Sequence, residues 1–282
     1  MRWLITGANG MLGVDATTLL RDRGHEVTTT DRDTLDITDE AAVRDAVAGH
    51  DVVLNCAAHT AVDDAESSEA VAFDVNALGA AVLARAAREH GVRLVQISTD
   101  YVFDGDAVEP YAADHLPRPR SAYGRTKAAG EWAVRAEHPE DHLVVRTAWL
   151  YGAHGSCFPR TIARVARERG TVSVVDDQVG QPTWTRDVAD LVERLVRAEA
   201  PAGAYHAVSS GQASWFDFAR SVCASAGLGA DVVSPTTSAE FVRPAPRPAY
   251  SVLSHDSLER VGVEPIGDWR ARWDAAADGV LA

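Results

Sequence analysis

Arg2-Trp-Leu-Ile-Thr-Gly7-Ala-Asn-Gly10-Met-Leu-Gly13 opens the chain and decides its fold. Arg2 to Thr6 reads as a short buried strand, and the residues after Gly10 place apolar side chains at helical spacing as far as about Arg23. Gly7 and Gly10 permit a tight turn and close approach to a pyrophosphate. Gly13 lets helix pack on strand, and the positive end of the helix faces the phosphates. The spacing is G-x-x-G-x-x-G, not G-x-G-x-x-G, so the triplet carries weight only through the strand before it and the helix after it. In that setting it predicts a nucleotide-binding turn.

Working outward, His25 to Thr30 is strand-like and ends on Asp31, where a carboxylate can accept from an adenosine ribose hydroxyl. Arg32 follows, and a guanidinium there can take the 2′-phosphate of NADP; the pair predicts tolerance of both NADPH and NADH, with the preference open. The competing reading of Arg32 is a solvated loop charge. Asp51 to Cys56, Val92 to Ile97 and His142 to Arg146 are apolar runs separated by helical stretches, as in a doubly wound parallel sheet covered on both faces. Ala57-Ala-His-Thr60 ends the first of these runs with residues small enough for a flat cofactor to lie against. His59 reads as an ordinary loop histidine, and Asp63, Asp64, Glu66 and Glu69 as an acidic helix start favoured by the dipole. Beyond Tyr151-Gly152 the elements shorten and mix. The expected division is 1–150, with roughly 185–208 returning to it, as the dinucleotide-binding domain, and 151–184 with 209–282 as a smaller α/β substrate-binding lobe.

Of the 27 basic residues, Lys127 is the single lysine, four positions after Tyr123 in Ser121-Ala-Tyr123-Gly-Arg-Thr-Lys127. A chain that uses arginine everywhere else and keeps one ammonium has a use for a compact charge on a flexible stem. On a helix this spacing puts phenol and ammonium on one face, where the charge is expected to lower the tyrosine pKa and make it a general acid near neutrality. Thr99, at the carboxyl end of the fourth strand, can donate to a carbonyl beside that tyrosine. Near the end, the guanidiniums of Arg243-Pro-Ala-Pro-Arg247 could meet a diphosphate, or the segment could be a rigid connector.

The formal charge of −14 disfavours nucleic-acid and anionic-membrane surfaces, so an anionic ligand needs local arginines or backbone N–H groups. At 46% hydrophobic residues, with no apolar run read as long enough to span a bilayer and no signal-peptide pattern at Met1, the expectation is a cytoplasmic globular protein. Cys56, Cys157 and Cys223 are too few and too scattered for a disulfide framework or metal cluster, and no metal is expected.

With the glycine turn, Ser98-Thr99-Asp100 and Tyr123-x-x-x-Lys127 in order, the chain resembles an extended short-chain dehydrogenase/reductase with a Rossmann-like sheet. Asn55-Cys-Ala-Ala-His-Thr-Ala-Val62, Ser98-Thr-Asp-Tyr-Val-Phe-Asp-Gly105, Arg146-Thr-Ala-Trp-Leu-Tyr151, Asp176-Asp-Gln-Val-Gly-Gln-Pro-Thr183 and Arg243-Pro-Ala-Pro-Arg247 closely resemble the dTDP-4-dehydrorhamnose reductase family across nearly the whole length. The resemblance implies reduction of the C4 ketone of dTDP-4-dehydro-L-rhamnose by NADPH. It implies Thr99, Tyr123 and Lys127 as the catalytic set, Tyr123 giving the proton and Lys127 also holding the nicotinamide ribose. Gly7, Gly10, Met11, Leu12, Asp31, Asp36, Ile37, Ala57, Ala58 and Thr60 would line the cofactor; Val62, Asp100, Tyr101 and Trp149 would face the sugar. Dehydratases of the superfamily follow the threonine with Asp-Glu, which Asp100-Tyr101 does not match. A dihydrostreptose synthase-type reductase and a non-catalytic NADP-binding regulatory subunit remain as rivals. The state in solution is expected to be monomer or homodimer.

Overall fold

Six parallel strands form the central sheet of the computed structural model, which describes residues 1–282. They are β1 (Arg2–Thr6), β2 (Glu26–Thr30), β3 (Val52–Asn55), β4 (Arg93–Thr99), β5 (His142–Thr147) and a last strand, Gly203–His206. From one edge the order is Gly203–His206, β5, β4, β3, β1, β2. The chain steps from β1 outward to β2 and then crosses back to β3 on the other side of β1. A switch of this kind leaves a crevice at the carboxyl ends of the strands, and here it lies between β1 and β3. β3 and β5 are buried at every position, as strands with helices on both faces must be.

Helix α1 (Met11–Asp22) covers one face of the sheet. On the other lie α2 (Glu40–Val47), α3 (Glu69–Phe73), α4 (Gly79–His90) and α5 (Ala122–Glu137). The chain then leaves the sheet in α6 (Phe158–Arg169), returns through α7 (Thr185–Arg197) to pack beside α1, and pairs Gly203 with Leu143 of β5. It leaves again for α8 (Trp215–Ser225), comes back briefly as α9 (Asp256–Arg260), and ends on α10 (Trp269–Leu281). Leu258, Val263 and Ile266 pack into the same core as Trp3, Leu19 and Val192. Part of the stretch expected wholly in the second lobe therefore serves the first, because the α1–α7 face would otherwise leave apolar side chains in water.

Asp74–Leu78, between α3 and α4, is a turn of π-helix, so Glu69–His90 runs as one helical rod. By length and composition that rod could cross a bilayer, with a mean hydropathy of 1.4, which the reading of the sequence did not recognise. Its apolar window is 61% buried against the sheet and against α2 and α5, which accounts for the composition.

The second lobe is held by aromatic packing. Phe218, Trp269 and Trp273 are fully buried, with ring centroids 5.3 to 6.0 Å from Phe218 and near-perpendicular planes. Each fully buried large apolar side chain contributes roughly 1.5–3 kcal/mol. Four aromatic rings, Tyr151, Phe158, Trp269 and Trp273, surround Phe218.

Candidate active site

The cofactor end of the crevice is shaped by what the glycines lack. Gly7 has φ +66°, and a Cβ on it would stand 2.6 Å from the Ala57 nitrogen; a Cβ on Gly13 would stand 2.5 Å from the Gly7 carbonyl oxygen. Turn, helix and the loop after β3 thus meet backbone to backbone. Gly10 caps α1 without a side chain, so the first N–H groups of the helix, from Met11 and Leu12 onward, are left for a ligand. Ala57 and Ala58 are half-buried and Thr60 exposed beside them. A cradle of this shape, closed to any Cβ, fits a dinucleotide pyrophosphate.

At the adenosine end, the Asp31 carboxylate accepts from the Asn9 amide, from the backbone N–H groups of Asp33 and Thr34 at 3.1 Å, and from the Thr34 hydroxyl at 2.9 Å. These bonds, the Thr34 hydroxyl foremost, hold it below the usual carboxylate range. Arg32 is exposed and makes no ion pair, which leaves its guanidinium open to a phosphate. Asp36 is tied to the Thr38 N–H and hydroxyl at 2.9 and 2.7 Å. Ile37 turns its side chain into the core against Gly79, so it can offer the crevice only backbone.

Thr99, Tyr123 and Lys127 converge at the carboxyl end of β4. Ser121 starts α5 by accepting from the Gly124 N–H at 3.0 Å, and a Cβ on Gly124 would stand 2.2 Å from the Tyr101 carbonyl oxygen. The first turn of the helix therefore lies flush on the turn that follows Thr99. Tyr101 and Tyr123 meet edge to face with centroids 5.7 Å apart, and Thr99 lies against the Tyr123 phenol. The Lys127 ammonium is buried and donates to the Ile97 carbonyl at 2.6 Å.

One expectation is corrected here. The Tyr123 phenol is raised above its ordinary pKa, first by burial and then by the neighbouring Asp100 carboxylate; the Thr99 hydroxyl opposes the rise, and Lys127 does not offset it. Burial also lowers Lys127 itself to about 8, with Glu131 acting against it. The spacing of Tyr123 and Lys127 is as read, but desolvation outweighs the charge. A phenol kept protonated is still a proton donor, and it becomes a strong one only when charge develops on an oxygen beside it.

Beneath the helix lies a buried network that the sequence did not disclose. Glu131 and Arg146, neither exposed, pair through two bonds of 2.9 and 2.7 Å; the Ser98 hydroxyl donates to Glu131 at 2.6 Å, and Arg146 donates to the Ala113 carbonyl at 2.9 Å. It locks α5 to the ends of β4 and β5 one turn after Lys127. Across the strand ends, Thr6 donates to Asn55 at 2.6 Å and Asn55 to Gln96 at 2.8 Å. Asn76, in the π turn, accepts from the His59 N–H and donates to the His59 carbonyl and the Thr126 hydroxyl, setting the 57–60 loop on α5. π turns recur at functional sites, and this one aims a side chain at the crevice wall.

The acidic stretch after Val62 does start helices, Asp64 and Glu66 in a 3-10 turn and Glu69 at the head of α3, and its carboxylates are also paired. Asp63 pairs with Arg243 at 3.0 Å and Arg247 at 2.9 Å; Asp64 takes His59 at 3.2 Å; Glu66 caps the Ala122 N–H at 2.8 Å; Glu69 forms a fork with Arg125. Its four carboxylates fasten the Arg243–Arg247 segment, the loop after β3 and the start of α5 to one another. His59 lies in the loop with Asp64 as the partner the sequence did not reveal, while its Nδ1 is buried without a hydrogen bond. Val62 is half-buried beside Asp63, and Arg247 stands next to Tyr101. Asp100 is buried, and its carboxyl meets Thr99 and Ser251. Trp149 takes a left-handed φ of +47°, lies over Gly180 and stacks on Trp215 at 3.6 Å, joining the second lobe to the strand end below Thr99.

A family model, the RmlD substrate binding domain, matches residues 1–281. A dTDP-4-dehydrorhamnose reductase from Streptomyces griseus is 51% identical over 96% of this chain and 91% of the relative. A probable dTDP-4,6-dihydroxy-2-methyloxan-3-one 4-ketoreductase from Streptomyces antibioticus is 49% identical over 100% of this chain and 96% of its own. Among solved structures, the Bacillus anthracis dTDP-4-dehydrorhamnose reductase in complex with NADP superposes with a TM-score of 0.94, at 37% identity and 98% coverage of both chains. The chain belongs to the dTDP-4-dehydrorhamnose reductase family.

Proposed function

We propose that the protein reduces the C4 ketone of dTDP-4-dehydro-L-rhamnose to give dTDP-L-rhamnose, with NADPH as reductant and Tyr123 as proton donor. The observation that carries this reading is the convergence of Thr99, Tyr123 and Lys127 beside a turn built to accept a pyrophosphate. The Streptomyces griseus relative and the NADP complex of the Bacillus anthracis enzyme support the substrate and the cofactor.

The N-terminus of α1 with Gly7, Gly10 and Gly13 would hold the pyrophosphate, Asp31 the adenosine ribose and Arg32 its 2′-phosphate. When bound, NADPH supplies the hydride. The chain's own part is to aim and to protonate. Tyr123 would give its proton to the C4 oxygen, and Thr99, whose hydroxyl donates to Asp100 at 2.9 Å, would turn to the same oxygen, so negative charge growing there would meet two donors held by rigid elements. Lys127, one turn away with its ammonium on the Ile97 carbonyl, would hold a ribose hydroxyl. Arg247, with Arg243 behind it, would face the diphosphate.

The test is NADPH oxidation with dTDP-4-dehydro-L-rhamnose, the product identified by nuclear magnetic resonance. Formation of dTDP-L-rhamnose at one equivalent per NADPH supports the reading. Turnover confined to another dTDP-4-keto-sugar would move the assignment toward the Streptomyces antibioticus relative, whose 49% identity over the full length makes that the second reading.

A further inference from the structure

Seven tryptophans differ in what their indole N–H groups do. Trp269 donates to the Gln212 carbonyl at 3.1 Å and Trp273 to the Ser225 hydroxyl at 3.0 Å; Trp3 and Trp184 are buried without an acceptor, and Trp132 is exposed on α5. Trp149 and Trp215 remain, half-buried and stacked on each other with planes 6° apart, and neither spends its N–H within the protein. Trp149 stands beside the reacting groups. Thr147 pairs with Thr99 across β5 and β4 and donates its hydroxyl to the Ser98 carbonyl at 3.1 Å, so Trp149 leaves the sheet just beyond, at the strand ends that border the crevice. Its carbonyl accepts from the Thr183 N–H at 3.2 Å. Its left-handed φ of +47° is one that a large side chain keeps only where its surroundings impose it. Those surroundings come from one pair of strands, in which Gly180 faces Ala213 and Val179 faces Ser214. A Cβ on Gly180 would stand 2.5 to 2.7 Å from three atoms of the Trp149 indole, so only bare backbone fits there. Ser214 caps α8 by accepting from the Asp217 N–H at 3.1 Å, which fixes Trp215, the first residue of the helix, against the same indole. Behind Trp215 stands Phe158, with centroids 4.4 Å apart, and behind Phe158 stands Phe218 at 5.7 Å, in the core of the second lobe.

We propose that Trp215 is a positioning residue for the sugar: stacked on Trp149, it holds that indole edge-on, so that the Trp149 N–H donates to a hydroxyl of the sugar ring. The inference rests on the reading that Trp149 faces the sugar of a dTDP-4-keto-sugar. With the backbone of Gly180 against it and a second indole stacked on it, Trp149 meets a ligand through its rim, where the N–H is the one polar group. An indole N–H gives a hydrogen bond and takes none, so it selects for an oxygen in a fixed place. Trp215 touches no sugar in this arrangement. It acts through Trp149, keeping the ring from turning out of its strained position, and carries the orientation from the head of α8 to the carboxyl end of β5.

A double-mutant cycle on Trp149→Ala and Trp215→Ala tests this, read as KM and kcat for dTDP-4-dehydro-L-rhamnose, with the circular-dichroism couplet of stacked indoles recorded for each protein. Trp215→Ala is expected to lose the couplet and to raise KM about tenfold, the loss of one well-placed hydrogen bond, with kcat within about threefold of wild type and NADPH affinity unchanged. The double variant should be no worse than Trp149→Ala, since Trp215 has nothing to hold once that indole is gone. Trp215→Phe, which can still stack, should bring KM back to within about threefold of wild type. Losses that add in the double variant would overturn the proposal, because a merely structural Trp215 does not act through Trp149. So would a couplet or a KM left unchanged by Trp215→Ala, or a Trp215→Phe protein no better than Trp215→Ala. Absence of turnover by the wild type with this sugar sinks the substrate reading itself, whereas additive losses on a wild type that turns over sink only the role of Trp215.

Discussion

Two sets of arginine and carboxylate flank the candidate active site, and they differ in burial. Glu131 and Arg146 meet with neither side chain exposed, under α5; Asp63 meets Arg243 and Arg247 at the rim, with side chains 26%, 48% and 18% exposed. Below α5, water cannot compete, so losing one partner strands the other and the geometry is fixed. At the rim, water and salt weaken each pair to within about 1 kcal/mol, so under the proposed function a substrate phosphate would compete with Asp63 for the arginines. Position under the helix thus buys rigidity for Tyr123 and Lys127, and position at the rim leaves charge free to be exchanged.

The sharpest way to break this comparison is to cut both sets. Arg146→Ala should cost about 3–5 kcal/mol of stability by urea unfolding, because it leaves Glu131 buried and unpaired. Arg247→Ala should stay within about 0.5 kcal/mol. Equal losses would show that the rim is as structural as the interior.

Asp100 sharpens the buried side of the comparison. Its carboxyl is raised from 3.8 to about 6 in the folded chain. Between those values the native state binds more protons than the unfolded one, so the contribution is fully present below the lower pKa and is lost as pH rises through about 6. Asp100→Asn should therefore raise stability at pH 7 by about 3 kcal/mol, and the gain should vanish in acid. Unfolding curves of both proteins across that range check it; a gain independent of pH would show that the carboxyl is not destabilised by burial.

On the rim, Arg247→Ala should raise KM for the dTDP-sugar about tenfold, the loss of roughly 1.4 kcal/mol expected for one charge-assisted contact, with kcat little changed. An unaltered KM would leave Arg247 as a partner of Asp63 and nothing more. The smallest effect is expected at the cofactor's edge. Arg32→Ala should weaken NADPH by about 1 kcal/mol and NADH hardly at all, since only NADPH carries a phosphate for the guanidinium. Parallel changes in both binding constants would show that Arg32 is a bystander.

What the sequence disclosed was local. Gly7 to Gly13 and Tyr123 to Lys127 act through spacing within a single turn or helix, and the alternation of strands and helices carried the doubly wound sheet. What it hid depends on residues far apart in the chain. Nothing near Arg146 marks Glu131 as its partner, nothing near Asn55 marks Gln96, and Asn76 reads as one more polar position on a helix until the π turn aims it at His59. The direction of the Tyr123 pKa was hidden for the same reason, since burial belongs to the packed molecule and the sequence showed only the charge. Asp64, five residues after His59, was within local reach, and its pairing with that histidine could have been read.

The central claim is that Tyr123, kept protonated by burial, gives its proton to the substrate ketone. It is tested most directly by comparing dTDP-4-dehydro-L-rhamnose reduction in wild type and Tyr123→Phe while NADPH affinity is followed by fluorescence. The account predicts a fall in kcat of about a thousandfold with NADPH affinity unchanged. A Tyr123→Phe enzyme that binds NADPH normally and turns over within a few-fold of wild type would contradict it.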